Sequence, residues 1–260
     1  MKTARFITLI VIPFLFACFP KKPEIPLSAV PAEPVLQALE RHRHSFSGLK
    51  AVASVEVAKG SRKRTLDTVG IVVDGERRLR IEAYGPLGQS LSAIVWDGRE
   101  ILMRRPGEDK VVRPGPKGLE RLFGQGVEAS ELCALLTGNI PGAGDAAAAR
   151  LLCGKDGMCV LELQTGDGIR QVRVSTPPAG SAREPRVLSY ALYRAGKLMF
   201  QTHFDRYAEI SHYALPVQIV IENPDKKLHV TVTYSEAEVN IPLSDDAFTL
   251  ADGEEAATAQ

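Results

Sequence analysis

The sequence has almost no excess of charge of either sign, because 32 lysines and arginines stand against 31 aspartates and glutamates. Proteins that bind nucleic acid carry a basic surplus, so the charge balance excludes that class. The sequence also lacks an apolar run of the roughly 20 residues that a membrane-spanning helix needs, which excludes a multi-pass membrane protein. Its charged residues, 24% of the chain, are ordinary for a folded protein and exclude a fibrous or wholly disordered one.

The sequence has no recognisable catalytic motif. The nucleophile elbow G-x-S-x-G, the phosphate loop G-x-x-x-x-G-K-[ST] and the zinc motif H-E-x-x-H are all missing. His42-x-His44 and His203-x-Asp205 each supply two ligands, which is too few for a metal site. Gly142-Ala143-Gly144 follows no strand and is typical of a connector, and Asp245-Asp246 is typical of a strand end or turn. We therefore expect neither an enzyme nor a bound metal or cofactor.

The amino terminus has the composition of a secretory signal. Lys2 and Arg5 form a positive region, and an apolar stretch of 12 residues follows at 6–17, too short to remain as a membrane anchor. The segment Leu15-Phe16-Ala17-Cys18 resembles the lipobox of bacterial lipoproteins, which implies removal of residues 1–17 and acylation of Cys18. The alternative is a plain signal that happens to precede a cysteine.

Residues 18–33 are predicted to form a tether. The segment is rich in proline, which favours an extended, polyproline-like chain. The lipobox resemblance implies that Cys18 holds the protein to a membrane. No aspartate follows Cys18 directly, and by the same resemblance this implies the outer membrane, with the protein facing the periplasm.

Three further cysteines are compatible with an oxidising compartment. Cys153 and Cys159 flank Asp156-Gly157, a hairpin turn signal, so the two can face each other across adjacent strands and we predict a disulfide between them. Cys133 lies in an apolar helical run and is predicted to be a buried thiol.

From Leu49 onward the sequence repeats an alternating segment followed by a turn, which is the pattern of consecutive antiparallel hairpins. The turns lie at Lys59-Gly60, Asp74-Gly75, Asp97-Gly98, Asp156-Gly157, Gly166-Asp167-Gly168, Ala195-Gly196 and Asn223-Pro224-Asp225. The count predicts about eleven strands. We therefore expect an α+β, mainly β domain at 34–250, followed by an acidic tail at 251–260.

Helical patterns are scarce and occur at 34–45, 117–123 and 128–137, with Gly138 placed where the last helix would stop. Two or three short helices cannot cover the apolar face of so many strands. Either the sheet closes into a barrel filled by its own side chains, or it curls partway around an apolar cavity that holds something else.

Several short motifs, in their order along the chain, resemble the LolB family of outer-membrane lipoprotein receptors over most of residues 35–250. These motifs are Gly48-Leu49-Lys50-Ala51, Tyr84–Ser90, Leu119–Gly124, Leu132–Pro141, Leu215–Ile221, Lys227–Val232 and Val239-Asn240. Members of this family and the related soluble LolA carriers are incomplete antiparallel barrels capped by helices, with an apolar cavity for the acyl chains of lipoproteins in transit. The resemblance therefore implies an incomplete barrel, lipoprotein or lipid acyl chains as cargo and a periplasmic carrier as donor, and we expect a monomer.

Two groups of residues form the candidate site. In the family, a leucine of a Pro-Leu-Gly turn protrudes and helps to insert cargo into the membrane, and Pro86 and Leu87 match that turn. The alternative is a leucine tucked under its own loop. The residues expected to line the cavity are Val55, Val57, Leu79, Ile81, Ile94, Leu135, Ile219, Val230 and Val232.

The chain departs from the family in an added hairpin around Cys153–Cys159, in the connection Thr176-Pro177-Pro178, in its single tryptophan, Trp96, and in its acidic tail. The alternative is therefore a lipoprotein of this architecture that serves a related lipid or an assembly partner. A scaffold lipoprotein with a filled barrel is the second function that the sequence allows.

Three groups of basic residues lie beside turns: Arg62-Lys63-Arg64, Arg77-Arg78 and Arg104-Arg105. Such groups are typical of a solvated rim or of contact with lipid head groups.

Overall fold

The computed structural model describes residues 27–250 apart from 109, 116–117, 124–126, 143–145 and 178–183. Cys18, most of the predicted tether and the predicted acidic tail lie outside the described residues. The helices are α1 (Glu33–His44), α2 (Gly118–Phe123) and α3 (Ala129–Thr137). The strands are β1 (Ser28–Val30), β2 (Gly48–Lys59), β3 (Arg62–Asp74), β4 (Arg78–Tyr84), β5 (Ser90–Trp96), β6 (Ile101–Arg104), β7 (Val111–Val112), β8 (Ala148–Cys153), β9 (Met158–Thr165), β10 (Gly168–Ser175), β11 (Arg186–Arg194), β12 (Lys197–Ile210), β13 (Tyr213–Asn223) and β14 (Leu228–Val239).

These strands form one antiparallel sheet in the order β1-β8-β9-β10-β11-β12-β13-β14-β2-β3-β4-β5-β6-β7. Strands β1 and β7 end the sheet without pairing with each other, so the predicted incomplete antiparallel barrel is confirmed. The predicted strand count is too low, because the sheet has 14 strands. Strands β1, β6 and β7 have only 3, 4 and 2 residues, and alternation cannot be recognised in such short runs.

Strand β1 lies within the residues predicted as tether. It pairs with β8 at one edge of the sheet, where Ser28 lies opposite Cys153 and Val30 opposite Leu151. The chain is therefore attached to the sheet before α1 begins at Glu33.

Helix α1 matches its prediction to within one residue at each end. Pro34 lies in the first turn, where N–H groups have no partner within the helix, so the missing N–H of proline costs no hydrogen bond. An acidic residue in the first turn and basic residues in the last turn complement the helix dipole. Its buried face consists of Val35, Ala38 and Leu39, of which Val35 and Leu39 join the main core.

Helix α3 bridges the concave face of the curled sheet. It contacts β4 and β13, two strands that β14, β2 and β3 separate in the sheet. Every residue of α3 except Ser130 is buried, and an apolar surface on all sides is what an inner helix requires. Reciprocal hydrogen bonds between Glu128 and Glu131 cap its first turn. Gly138 ends it with a φ of +78°, as predicted, and a Cβ there would come within 2.7 Å of Pro216.

Two tyrosines of the sheet hold the carboxyl-terminal end of α3. The last carbonyls of a helix have no partner within it. The Tyr213 hydroxyl of β13 donates to the Thr137 carbonyl at 2.7 Å, and the Tyr234 hydroxyl of β14 donates to the Leu136 carbonyl at 2.8 Å. Burial raises the pKa of both tyrosines, so both hydroxyls remain donors at neutral pH.

The carboxyl-terminal segment covers the outer face of β3 to β6. Its 3₁₀ turn, Asp245–Phe248, includes the aspartate pair predicted to end a strand or form a turn. Phe248 is buried against Leu102. The Arg80 guanidinium donates to the Thr249 carbonyl at 2.8 Å, which fastens the segment to β4. This part of the sheet is therefore covered on both faces.

The hairpin of β8 and β9 contains the predicted cysteine pair. Cys153 and Cys159 lie opposite each other across the two strands, and the structure joins their Sγ atoms in a disulfide. The turn between them contains Gly157, whose φ of +77° is the left-handed conformation that glycine supplies in an Asp-Gly turn.

We expect Tyr234→Phe to lower the free energy of unfolding by about 1–3 kcal/mol, because it leaves the buried Leu136 carbonyl without a partner. Urea unfolding measures the change. Tyr193→Phe is the matched control, since Tyr193 is half-buried and its hydroxyl forms no hydrogen bond within the described ranges. The control should stay within about 0.5 kcal/mol of the parent. Equal losses in the two variants would contradict the role assigned to Tyr234.

Candidate functional site

The residues predicted to line a cavity meet on the concave face of the sheet. Residues opposite each other on neighbouring strands share a face. The cross-strand pairs are Val55 with Val232, Val57 with Val230, Ile81 with Ile94 and Ile219 with Val232. Leu135 reaches the same core from α3, and Leu79 from β4.

These residues are packed against other side chains of the protein. Those buried in the main core cluster are Val55, Leu79, Leu135, Ile219, Val230 and Val232. Val57 and Ile81 are half-buried against it, and Ile94 packs on a second cluster with Leu119. Two clefts of the described structure, of about 340 and 500 Å³, are lined by other residues. Side chains of α3, among them Leu135, therefore occupy the space under the sheet.

One buried arginine ties the amino-terminal end of α3 to the β9–β10 hairpin. The Arg170 guanidinium donates through Nε to the Tyr190 hydroxyl oxygen at 3.1 Å and through Nη1 to Asp167 Oδ1 at 2.8 Å. Its Nη2 lies 3.5 Å from Oε1 of Glu131, in the first turn of α3. Arg170 is only 8% exposed, so these partners have to compensate its charge.

The two carboxylates around Arg170 differ in their electrostatics. Burial raises the pKa of Glu131, although a backbone N–H and Arg170 favour its charged form. Partial burial would also raise the pKa of Asp167, but hydrogen bonds from Thr165 and Arg194, together with Arg170, outweigh it and lower that pKa. Asp167 therefore stays charged beside Arg170 at neutral pH.

Sequence reasoning missed Arg170, although the signal for it is present. Arg170, Val172 and Val174 share the inward face of β10, so a charged residue stands on an apolar face. A buried charge of this kind requires a partner. Asp167 is a partner close in sequence, whereas Glu131 comes from α3 and reaches Arg170 only through the fold.

The turn between β4 and β5 presents Leu87 to solvent. The Gly85 N–H donates to the Gln89 carbonyl at 2.8 Å, and the Leu87 N–H donates to Oε1 of the Gln89 side chain at 3.1 Å. The backbone of the turn is thus held in place, while Leu87 is 92% exposed. Pro86 beside it is also exposed. A leucine tucked under its own loop does not describe this structure.

Other residues noted in the sequence have structural roles. His42 stacks on Tyr213 with ring centroids 4.3 Å apart, and burial lowers the pKa of His42. Cys133 is a buried thiol, as predicted, and burial raises its pKa.

Across the described ranges, no group of three or more His, Cys, Asp or Glu residues could hold a metal ion. None of the helices in that part of the chain combines the length and apolar character that a membrane span needs.

We expect Asp167→Asn to destabilise the protein most near neutral pH. Folding lowers the Asp167 pKa from its ordinary value of 3.8, so the charged form stabilises the fold above that pH and the contribution is lost as the pH falls through the folded-state value. The loss of unfolding free energy should be roughly 1 kcal/mol at pH 7, since Asp167 is partly exposed, and should shrink below about pH 4. Urea unfolding at a series of pH values measures it.

Asp67→Asn is the control for that series, because Asp67 is exposed and forms no ion pair among the described residues. Its unfolding free energy should follow the parent at every pH. A difference between Asp167→Asn and the parent that stays constant with pH would contradict the electrostatic role of Asp167.

No known family profile matches the sequence, and no curated protein is similar to it at a significant level. Solved structures do share its fold. A LolA superfamily protein from Nitrosomonas europaea superposes with a TM-score of 0.57 at 17% identity, over 85% of this chain and 99% of that chain. A domain from Vibrio parahaemolyticus, assigned as an outer-membrane lipoprotein-sorting protein, gives 0.61 at 13% identity, over 84% and 97%. A DUF1329 family protein from Desulfovibrio piger gives 0.60 at 13% identity, over 84% and 97%. The chain therefore has a LolA-like fold, which confirms the fold expected from its sequence motifs.

Proposed function

We propose that this protein is a lipid-anchored lipoprotein of the cell envelope that accepts acylated cargo under its sheet and delivers it to the outer membrane. The observation that carries the proposal is the concave apolar face of the open sheet, which α3, a helix of 9 residues, covers from within. This face can receive acyl chains when α3 moves aside.

The exchange of α3 for an acyl chain is balanced because both surfaces are apolar. Leu132, Leu135 and Leu136 of α3 are each at most 1% exposed and lie where an acyl chain would lie. Each buried methylene contributes about 0.8 kcal/mol, so a sixteen-carbon chain would cost roughly 12 kcal/mol in water and little in such an interior. Transfer can then run without a nucleotide, from a weaker binding site to a stronger one.

The polar contacts at the ends of α3 oppose this exchange only weakly. The hydrogen bonds from Tyr213 and Tyr234 contribute roughly 1 kcal/mol each. The ion pair of Arg170 with Glu131 is offset by the desolvation of both groups. These contacts keep the interior of an unloaded protein closed, and cargo shifts α3 only when burial of its acyl chains exceeds them together with the apolar burial of α3 itself.

The location and the partners belong to the same proposal. Acylation of Cys18 would hold the protein to the outer membrane on its periplasmic face, and a soluble periplasmic carrier would donate the cargo to a monomer. The lipobox and the family resemblance support these points. The LolA-like fold and the lipoprotein-sorting assignment of one structural neighbour support lipoprotein as the cargo. Leu87 would enter the bilayer surface during delivery.

A scaffold lipoprotein with a filled interior is the second candidate. The packing of the predicted cavity-lining residues into one core favours it. Such a protein would bind protein partners of an envelope complex and would take up no lipid.

We expect native mass spectrometry of the full chain, purified from membranes, to detect non-covalent lipid at a defined stoichiometry. Cys18→Ser is the control, because it removes the mass of covalently attached acyl groups and should leave the non-covalent lipid in place. Protein partners at a defined stoichiometry with no bound lipid would reject the carrier function in favour of the scaffold.

We expect Leu87→Glu to leave the unfolding free energy within about 0.5 kcal/mol of the parent, because the side chain is exposed, and to impair delivery of acylated cargo to vesicles. Transfer of a fluorescent acylated peptide from the protein to vesicles measures delivery. Ile169→Glu is the matched control, since Ile169 is 48% exposed on an outward position of β10. Unchanged transfer by Leu87→Glu would remove the proposed role of this turn.

A further inference from the structure

The hairpin of β2 and β3 projects beyond β4 at one end of the sheet. Strand β3 pairs with β4 only over Val69–Asp74, so residues 62–68 extend past the end of β4 at Tyr84. The turn that carries Leu87 follows Tyr84 at this same end. The hairpin tip and the exposed leucine therefore lie at the same end of the molecule.

Basic residues without partners gather at this tip. Lys59 lies opposite Arg62, and the Lys227 carbonyl accepts the N–H of Gly60 in the turn at 3.0 Å. Lys59, Arg62, Arg64 and Lys227 are all exposed. In the part of the chain that the structure describes, their side chains form no ion pair and no hydrogen bond.

The two other basic groups noted in the sequence, Arg77-Arg78 and Arg104-Arg105, pair with carboxylates, which sets the tip apart from them. Arg78 lies 2.7 Å from Asp74, and Arg104 lies 3.3 Å from Glu82. Within the tip itself, Lys63 pairs with a carboxylate, Glu56, at 2.8 Å. The unpaired charge is therefore concentrated on one face of the hairpin.

That face is continuous with the apolar interior. Arg64 lies opposite Val57, which packs against the main core. Lys59 and Arg62 share this face, because side chains two residues apart on a strand point the same way. The rim of the concave apolar surface at this end is therefore formed by positively charged side chains.

We propose that the β2–β3 tip binds the phosphate groups of anionic phospholipids at a bilayer surface. A surface fits better than a single ligand, because the cations are exposed and spread along a hairpin, and the clefts described above are lined by other residues. Each Lys or Arg close to an anionic bilayer strengthens binding about fivefold. Leu87, 92% exposed at the same end, adds an apolar contact that the head-group region accommodates.

The length of the chain permits this contact. The residues between Cys18 and Ser28 can span at most about 35 Å. The 12 residues of β2 measure roughly 40 Å along the strand, and the tilt of strands in a curled sheet shortens that distance along its axis. A protein anchored at Cys18 can therefore bring the far end of β2 to the same membrane.

The inference rests on the membrane attachment in the proposed function and not on the acyl cargo. The test uses the full chain with Ser61→Cys, labelled at the tip with a polarity-sensitive fluorophore and reconstituted into vesicles. Labelling should be selective, since the proposed acylation occupies the Cys18 thiol, Cys133 is buried and Cys153 is bonded to Cys159. The fluorescence should rise in vesicles of phosphatidylcholine with phosphatidylglycerol and not in phosphatidylcholine alone, and added salt should reverse the rise.

In this background Arg62→Ser with Arg64→Ser should lower the ratio of docked to undocked protein about fivefold for each charge removed. Arg99→Ser with Lys155→Ser is the matched control, because it removes the same charge from exposed turns at the opposite end of the sheet and should keep the parent response. Equal loss in both pairs, or an equal response in both vesicle types, would overturn the proposal. A rise with soluble polyglutamate and no difference between vesicle types would assign the tip to an acidic polypeptide instead, and would also overturn it.

Native mass spectrometry measures lipid bound in the interior independently of docking at the tip. The acyl-carrier function and the membrane contact of the tip can therefore fail independently. Lipid-free protein with a docked tip would contradict the acyl-carrier function and support this inference. Lipid-loaded protein with an undocked tip would do the reverse.

Discussion

The concave face of the curled sheet has to be hidden from water, and the rest of the structure depends on how this is done. An open sheet of 14 strands presents more apolar surface than α1 and α2 can cover from its ends. Helix α3 lies against the inside of the curl and supplies the missing surface. A helix of 9 residues is marginal in isolation, so α3 and the sheet stabilise each other.

Polar groups at the two ends determine where α3 lies. Arg170 and Glu131 hold the first turn, and the hydroxyls of Tyr213 and Tyr234 hold the last. A buried ion pair contributes little net stability, because desolvation offsets the attraction, but it disfavours other placements of the helix. The apolar sides of α3, by contrast, make no directional contact, and the proposed carrier function requires cargo to take their place. The position of α3 is therefore specified at its ends rather than along its length.

The inner face of the sheet and its rim differ in polarity. Its inner face is apolar from β13 through β14 to β2, and the rim of that face at the β2–β3 tip carries Lys59, Arg62 and Arg64. On the outside, the segment that ends in Phe248 covers β3 to β6. The apolar inner face, the basic β2–β3 tip and the exposed Leu87 thus lie toward one end of the sheet.

The sequence by itself determined which residues face inward, because side chains alternate strictly along a strand, and it placed Cys153 opposite Cys159 through the Asp-Gly turn between them. It also determined the turn around Leu87. It could not reveal the shortest strands, which exist only through pairing. Nor could it decide whether the interior is hollow or filled. That depends on where α3 lies, and the contact of Glu131 with Arg170 joins residues of different elements that only the folded chain brings together.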